Sequence, residues 1–383
     1  MAISQITNKS ITDATITAAD MATGAVEGAM TTQLSGRRNI VYNGAMTVWQ
    51  RGTSADTATS GDYMCDRWGV YHAGLDGNVD WDQETSSTPD GFGYALKIST
   101  DASETSLDAA DEITIQQRFE GQDLQQLQKG TSGAKSLTLS FWVKSSVAST
   151  YTAELFDNDN TRAISKSYAI NTADTWEFKT ITFEGDTTGA FDNDNLSSLH
   201  LLFWIDAGSN FTSGTFSTAW QANSNTERVY DTTGWLESAS PEFYITGVQL
   251  EVGSVATPFE HRSYGEELAL CQRYAYCINQ HTASYDYPMF NANSYNTTQA
   301  NMIIEFPVTM RDTPSLSAAN VSGCYRYYRE STNDPFDALQ PDAISNFACD
   351  IANNGGLSQT AGSAGRFQIR TPDGAFIHFE AEL

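Results

Sequence analysis

The chain of 383 residues is longer than a typical domain, and a prior of roughly 150 residues per domain favours two or three units. Its hydrophobic fraction of 40%, with 11% aromatic residues, is enough for packed cores and excludes wholesale disorder. With 21 Lys and Arg against 47 Asp and Glu, the net charge of -26 opposes contact with phosphate backbones and anionic lipids. We therefore expect no nucleic-acid partner and no membrane insertion.

The first element along the chain is a five-residue repeat. Residues 6–30 divide into five blocks that each open on an apolar residue: Ile6, Ile11, Ile16, Met21 and Val26. This period fits neither a helix nor a strand, and the spacers are too small and polar to bury these side chains within one chain. We predict a stalk over residues 1–38, in which three intertwined copies stack one apolar residue per layer. A disordered tail is the alternative.

The second region, residues 39–262, holds all eight tryptophans. Its short apolar or alternating runs are separated by loops rich in Gly, Asn, Asp and Ser, which predicts a β-sandwich of jelly-roll type. We expect strands at 137–146, 175–185, 199–208 and 241–253. The run at 199–208 is almost continuously apolar, which indicates a strand covered on both faces.

A short helix and a second β region complete an all-β chain. Ser263 with Glu266 three residues later forms a capping box, which predicts a helix over 263–276 within a linker at 263–277. Residues 278–383 are predicted to form a small C-terminal β-sandwich. There the turn TPDG between two alternating runs predicts a hairpin, whose last strand has five residues on one face: Ala375, Ile377, Phe379, Ala381 and Leu383.

Three segments carry a family resemblance: GRRNIVYNGAMTVWQRGTS, DYMCDRWGVY and FYITGVQLEVGSVATPFEHRSYGEELALCQRYAY. Together they resemble fibre and virion appendage proteins of tailed bacteriophages, particularly phages of marine and aquatic bacteria. The resemblance covers roughly residues 38–277. ITDATITAADMATGAV is similar to the stalk lead-in of these proteins, and FPVTMRDTPSL to the start of their distal β-domain.

The resemblance implies a homotrimer on the virion with a body similar to carbohydrate-binding modules. It implies attachment to tail, baseplate or capsid proteins through the N-terminus, and a distal C-terminal domain that recognises a bacterial surface glycan or outer-membrane receptor. Virions assemble in the host cytoplasm, which agrees with the lack of a secretory signal and of paired cysteine spacing in the sequence. A structural decoration that binds no receptor is the alternative.

We expect no enzymatic activity. A polysaccharide depolymerase needs only two suitably spaced carboxylates, which 47 acidic residues can provide. However, the sequence has no long repetitive array of the kind that forms a parallel β-helix. It also has neither a GxSxG nucleophile motif nor an HExxH metal motif.

Two sets of aromatic residues are candidates for receptor contact. The stretch CYRYYR is the most basic aromatic patch of an acidic chain, and tyrosine and arginine are favoured at recognition surfaces. Alternate tyrosines lining the core of a strand are the other interpretation. Three tryptophans with polar neighbours are further candidates for stacking on sugars. The predicted receptor-binding residues are Tyr325, Arg326, Tyr327, Tyr328, Arg329, Trp81, Trp220 and Trp235.

The pentapeptide FDNDN occurs twice, at 156–160 and 191–195. Its carboxylates are the hard oxygen ligands that calcium prefers, so Asp157, Asp159, Asp192 and Asp194 are candidate ligands of a structural calcium ion. Neither copy has the Gly and Glu positions of an EF-hand, and an Asn/Asp-rich turn is the simpler interpretation. Sandwiches of the carbohydrate-binding-module type often hold a calcium ion, so the resemblance adds to the calcium interpretation.

Overall fold

The computed structural model describes residues 37–279, 287–330, 332–353, 355–370 and 375–383. The predicted stalk residues Ile6, Ile11, Ile16, Met21 and Val26 lie outside the described residues. Over the described residues the regular secondary structure is mostly antiparallel strands, as the sequence predicts.

The body is a sandwich of two six-stranded sheets. Sheet A has the strand order β1-β3-β4-β12-β6-β9, and sheet B has the order β11-β8-β7-β10-β5-β2. Side chains from the inner faces of both sheets form one core, in which the rings of Phe141 and Phe203 lie 5.0 Å apart between centroids. The strand bounds are β1 Ser54–Ala58, β2 Gly69–Ala73, β3 Val79–Glu84, β4 Ala95–Thr100, β5 Glu112–Glu120, β6 Leu137–Ser145, β7 Thr150–Asp157, β8 Arg162–Ala169, β9 Glu177–Phe183, β10 Ser197–Ala207, β11 Gln221–Ala222 and β12 Glu242–Val252.

The four strands expected in the body are present as β6, β9, β10 and β12. β10 is covered on both faces, which confirms the prediction from its apolar run. Leu201 packs in the main core, whereas Trp204 on the opposite face packs with Val229 and Phe211, which come from the segment after β10. That segment also contains a single helical turn at Ser209–Thr212.

The predicted helix runs from Tyr264 to Gln272, and its capping box is confirmed. The Ser263 hydroxyl accepts a hydrogen bond from the Glu266 N–H, while the Glu266 carboxylate accepts one from the Ser263 N–H at 2.9 Å. The helix ends four residues earlier than predicted, because Tyr274 turns inward and donates its hydroxyl to Glu120 on β5. No helix in the described part of the chain is long and apolar enough to span a membrane.

The C-terminal part packs a small sheet on a large one. The small sheet has the order β13-β22-β16, and the large sheet has the order β18-β17-β21-β14-β15-β20-β19. Their inner faces share a second core, where the rings of Phe306 and Phe379 are 4.8 Å apart. The strand bounds are β13 Ala275–Asn279, β14 Tyr287–Ser294, β15 Ala300–Glu305, β16 Ser315–Ala318, β17 Tyr325–Arg329, β18 Thr332–Phe336, β19 Leu339–Ile344, β20 Ala348–Asn353, β21 Ala364–Ile369 and β22 Phe376–Glu380.

The predicted hairpin at the end of the chain is wrong. β21 pairs with β17 and β14 in the large sheet, whereas β22 pairs with β13 and β16 in the small sheet. Both edges of β21 are therefore occupied, and the chain crosses between sheets instead of folding back. The predicted apolar face of the last strand is buried at Ala375, Ile377, Phe379 and Ala381.

Ion pairs that each include at least one largely buried side chain join the two β units. Arg51 donates to Glu380 at 2.9 Å and to Glu382 at 2.8 Å, and Arg67 also pairs with Glu382. On the other side of the junction, Arg273 donates to both carboxylate oxygens of Glu120, at 2.7 and 2.6 Å.

Candidate functional site

The outward face of the large C-terminal sheet forms an open groove across β14, β15, β20 and β19. One part encloses about 750 Å³ and an adjoining part about 600 Å³, and both are lined by Ile303 and Asp350. These two residues are direct cross-strand partners on β15 and β20. Because side chains alternate between the faces of a strand, the neighbours of Ile303 at positions 301 and 305 also face the groove.

Three apolar side chains stand exposed along this groove. Ile303 in the middle is 64% exposed, while Tyr295 at one end is 73% and Phe347 at the other end 63% exposed. Tyr295 follows β14, and Phe347 lies in the turn between β19 and β20. β15 runs between these ends and spans on the order of 17 Å. Exposed rings at the ends of a polar groove provide flat surfaces for the apolar faces of a ligand.

Amide and carboxylate groups line the groove between the two rings. The side-chain amide nitrogen of Asn301 donates to the carboxylates of Asp342 at 3.0 Å and Asp350 at 3.2 Å. The amide oxygen of Asn301 accepts from the side-chain amide of Gln299 at 3.1 Å. Asn293 lies beside Asn301 on the neighbouring strand. The groove therefore has oriented hydrogen-bonding groups next to apolar surface, an arrangement suited to a ligand with many hydroxyl groups.

Two of the predicted receptor residues lie on this same outward face. Arg326 and Tyr328 on β17 point outward, and Arg366 on β21 connects them to the groove, since it is the cross-strand neighbour of both Tyr328 and Asn291. The Arg366 guanidinium lies 4.9 Å from the centre of the Tyr328 ring. Arg329, at the end of β17, is held by Asp334 at 2.9 Å.

Tyr325 and Tyr327 require a correction. Both side chains are fully buried in the C-terminal core, where the Tyr325 ring stacks 5.5 Å from Phe336. They point inward because they alternate with Arg326 and Tyr328 along β17. Neither ring has a surface free for a receptor, so alternate tyrosines lining a core is the correct interpretation for these two residues.

The three candidate tryptophans of the body are not arranged for sugar stacking. Trp235 is fully buried, and Trp81 is buried with its ring stacked 5.9 Å from that of Trp49. Trp220 is half-buried, donates its indole N–H to the Glu184 carbonyl, and has the Lys129 ammonium 5.3 Å from its ring centre. A polar neighbour in the sequence did not distinguish an exposed indole from one inserted into the core.

A different aromatic pair is exposed on the body. Phe178 on β9 is 50% exposed, and its ring lies 5.4 Å from that of Trp142 on the outer face of sheet A. Trp142 lies within a strongly apolar run of the sequence, but its side chain is only half-buried on the outer face of the sheet. Direct pairing of positions 142 and 178 on β6 and β9 explains the contact.

A lysine occupies the place predicted for calcium. The Lys129 ammonium pairs with Asp157 and with Asp186, and it donates to the carbonyls of Thr188 and Gly189 at 2.9 and 2.8 Å. Burial raises the pKa of Asp186, but hydrogen bonds from Arg162, from the Thr188 N–H and from Lys129 outweigh burial and hold this pKa below its ordinary value.

The other predicted calcium ligands do not converge on a common point. The Asp159 carboxylate accepts the Asp192 N–H at 3.0 Å, and the Asp194 carboxylate accepts the Leu196 N–H at 2.9 Å. Over the described residues, no group of three or more His, Cys, Asp or Glu side chains is placed to hold a metal ion. The calcium prediction is therefore unsupported. The Asp194 contact is that of a turn, whereas the Asp159 contact joins the two FDNDN loops.

No protein-family description and no curated protein matches the sequence. The chain has weak similarity to several solved structures. One is the enzymatically active domain of tailspike protein 4 of bacteriophage CBA120, at 13% identity and a TM-score of 0.29, covering 56% of this chain. The match spans only 21% of the tailspike chain. The module TmCBM61 in complex with β-1,4-galactotriose matches at 11% identity and a TM-score of 0.29, covering 56% of this chain and 99% of its own. The family 11 carbohydrate-binding module of Lic26A-Cel5E of Clostridium thermocellum matches at 15% identity and a TM-score of 0.26. This match covers 52% of this chain and 99% of the module. At these identities and scores, function has to be argued from the chain's own residues.

Proposed function

We propose that this protein is a non-enzymatic, homotrimeric appendage of a bacteriophage virion, and that it attaches the particle to its host by binding a surface glycan. The observation that carries the proposal is the groove on the C-terminal sheet. Its exposed Tyr295 and Phe347 rings flank amide and carboxylate groups. Rings stack on the apolar faces of sugar rings, and oriented polar groups bind their hydroxyls.

The phage assignment is supported by the three sequence segments that resemble virion appendage proteins. In this proposal the five-residue repeat over residues 6–30 joins three chains and anchors them to the virion. Each trimer then presents three grooves, and each particle presents several trimers. Modest affinity per groove becomes firm adhesion, because later contacts form at high effective concentration.

The test is binding of labelled full-length protein to an array of bacterial surface polysaccharides. We expect Tyr295→Ala and Phe347→Ala each to weaken binding at least fivefold, because each removes an exposed ring that contacts the glycan. Phe178→Ala is the matched control, since it removes a half-exposed ring from the body, away from the groove. Equal binding by all four proteins would contradict the proposal.

A depolymerase is the second candidate. Asp342 and Asp350 both lie within hydrogen-bonding distance of the same Asn301 nitrogen, at 3.0 and 3.2 Å, so two carboxylates face one groove as in glycoside hydrolases. Release of oligosaccharides from a bound polysaccharide, abolished by Asp350→Asn, would favour this candidate. Binding without release would favour the appendage.

A further inference from the structure

We propose that the groove selects glycans that carry free, protonated amino groups. This inference rests on the proposed function and specifies the chemical class of its ligand. It follows from the charge of the groove, from the unused hydrogen-bonding capacity of its carboxylates and from the position of the nearest basic side chains.

The charged side chains in the described lining of the groove are all acidic. Its lining contains the carboxylates of Asp342, Asp350 and Glu305, and among the described residues that line it there is no lysine, arginine or histidine. Uronic acids and phosphorylated sugars would bring further negative charge to this surface. An amino sugar brings the opposite charge, so electrostatic complementarity favours it.

The three carboxylates retain capacity to accept hydrogen bonds from a ligand. Asp342 and Asp350 each use one oxygen to accept from Asn301, and the other oxygen of each accepts no hydrogen bond from the described residues. Within the same described ranges, Glu305 makes neither a hydrogen bond nor an ion pair with its side chain. An ammonium group has three N–H donors, and its hydrogen bonds to carboxylates are stronger than those between neutral groups.

The nearest basic side chains lie beyond one side of the groove. Arg366 is on β21, next to β14, and its guanidinium lies over the Tyr328 ring rather than over the groove carboxylates. Arg326 lies one strand further away, on β17. The outward face is thus divided into a basic side on β17 and β21 and an acidic side on β15, β20 and β19, where a cationic sugar would bind.

The experiment compares three short oligosaccharides binding to the full-length protein at pH 6 in the presence of EDTA, by isothermal titration calorimetry. The probes are glucosamine oligomers with free amines, the same oligomers fully N-acetylated, and uronate oligomers of equal length. We expect the free-amine oligomer to bind at least tenfold more tightly than the acetylated one. N-acetylation leaves the rings and removes the charge.

Single substitutions then locate the effect. Asp342→Asn and Asp350→Asn should each reduce the free-amine preference severalfold, the magnitude typical of a partly exposed ion pair. Asp312→Asn is the matched control, because it changes the net charge equally at an exposed position outside the lining. This control matters, since a chain with a net charge of -26 attracts any cation.

The outcomes separate this inference from the proposed function. If an oligosaccharide binds and Tyr295→Ala abolishes binding, but the acetylated or uronate form binds as well as the amine, the charge inference fails and the glycan groove stands. If none of the three probes binds, the amine inference fails and the array experiment decides the broader proposal. If Tyr295→Ala instead changes the mass in solution, the face is a contact between copies of the chain, and both proposals fail.

Discussion

Lys129 places a tethered cation among oxygen ligands that would otherwise suit a metal ion. Its ammonium contacts two buried carboxylates, from Asp157 and Asp186, and two carbonyl oxygens. A covalently attached charge neutralises these carboxylates without an ion from solution. This arrangement accounts for Asp157, whereas Asp159 and Asp194 accept hydrogen bonds from main-chain N–H groups.

We expect Lys129→Met to lower the free energy of unfolding by about 3 kcal/mol or more, because it leaves a buried carboxylate without its partner. Asp186 retains Arg162 at 2.7 Å, so the cost arises mainly at Asp157. Urea denaturation at pH 7 measures the change. The control is Lys135→Met, which removes a lysine with no ion pair among the described residues. A loss below about 1 kcal/mol would contradict the assigned role of Lys129.

Residue-level predictions from the sequence succeeded where alternation along one strand decides the outcome. Alternation in CYRYYR correctly predicts that Tyr325 and Tyr327 share one face of the strand, but it does not reveal which face the small sheet covers. Tyr295 and Phe347 lie outside the strands, beside turns, where the alternation of buried and exposed side chains does not apply. The sequence pattern therefore did not predict their exposure. The available signal was Ile303, an aliphatic residue that shares one face of β15 with the polar residues Asn301 and Glu305 and is exposed there.

At the level of elements, close contacts between loops depend on Gly121. A Cβ atom at this position would lie 2.1 Å from the main-chain oxygen of Asp192, in the loop of the second FDNDN sequence. The loop from β9 to β10 therefore approaches the segment after β5 more closely than any side chain allows.

We expect Gly121→Ala to lower the free energy of unfolding by about 1–3 kcal/mol, because one of the two loops has to move. Gly93→Ala is the matched control, since a Cβ atom at Gly93 meets nothing within 4 Å. Thermal unfolding of both variants measures the difference. Equal stability of the two variants would show that the loop moves freely.

Elements are predictable from the sequence to the extent that their signals are local. The capping box at Ser263 and Glu266 involves neighbours on the chain, and the helix begins where this pair predicts. The TPDG turn suggests a hairpin for the same local reason. That prediction is wrong because the partners of β21 and β22 are strands from elsewhere in the chain. The sequence around the turn does not indicate which distant strands these are.

At the scale of the whole molecule, Glu120 links the body to the start of the C-terminal part. Burial raises the pKa of Glu120, but hydrogen bonds from Arg273 and Tyr274 outweigh burial and hold this pKa below its ordinary value. The pKa is therefore lower in the folded than in the unfolded chain. The resulting stabilisation is complete above about pH 4.3, the ordinary value for glutamate, and is lost as the pH falls through the folded-state value.

We expect Glu120→Gln to destabilise the protein by about 3 kcal/mol at pH 7 and by clearly less at pH 3. Urea denaturation of the unsubstituted protein and of Glu120→Gln, at pH 7 and at pH 3, measures the difference in free energy of unfolding at each pH. Glu237→Gln, at an exposed position, serves as the control. If the difference in free energy of unfolding is the same at both pH values, ionisation of Glu120 does not contribute to stability.

The trimer proposal predicts a solution mass of three chains by light scattering. A shortened protein that starts at Gly36 should lose mass or stability, because it lacks the apolar repeat that would pack between chains. A monomeric full-length protein would contradict the stalk proposal. The sequence suggests this assembly through the five-residue period and through the resemblance to virion appendage proteins, and the repeat lies outside the described residues.

The ion pairs at the junction also have a consequence for synthesis. Two partners of Arg51, Glu380 and Glu382, lie 329 and 331 residues later in the chain. Arg67 also pairs with Glu382. Because translation proceeds from the N-terminus, both guanidinium groups emerge from the ribosome long before their carboxylates. A product interrupted before residue 380 would leave Arg67 without its carboxylate partner and Arg51 with Asp66 alone, at 3.4 Å. Incomplete chains would thus be less stable than the complete protein and more open to proteolysis.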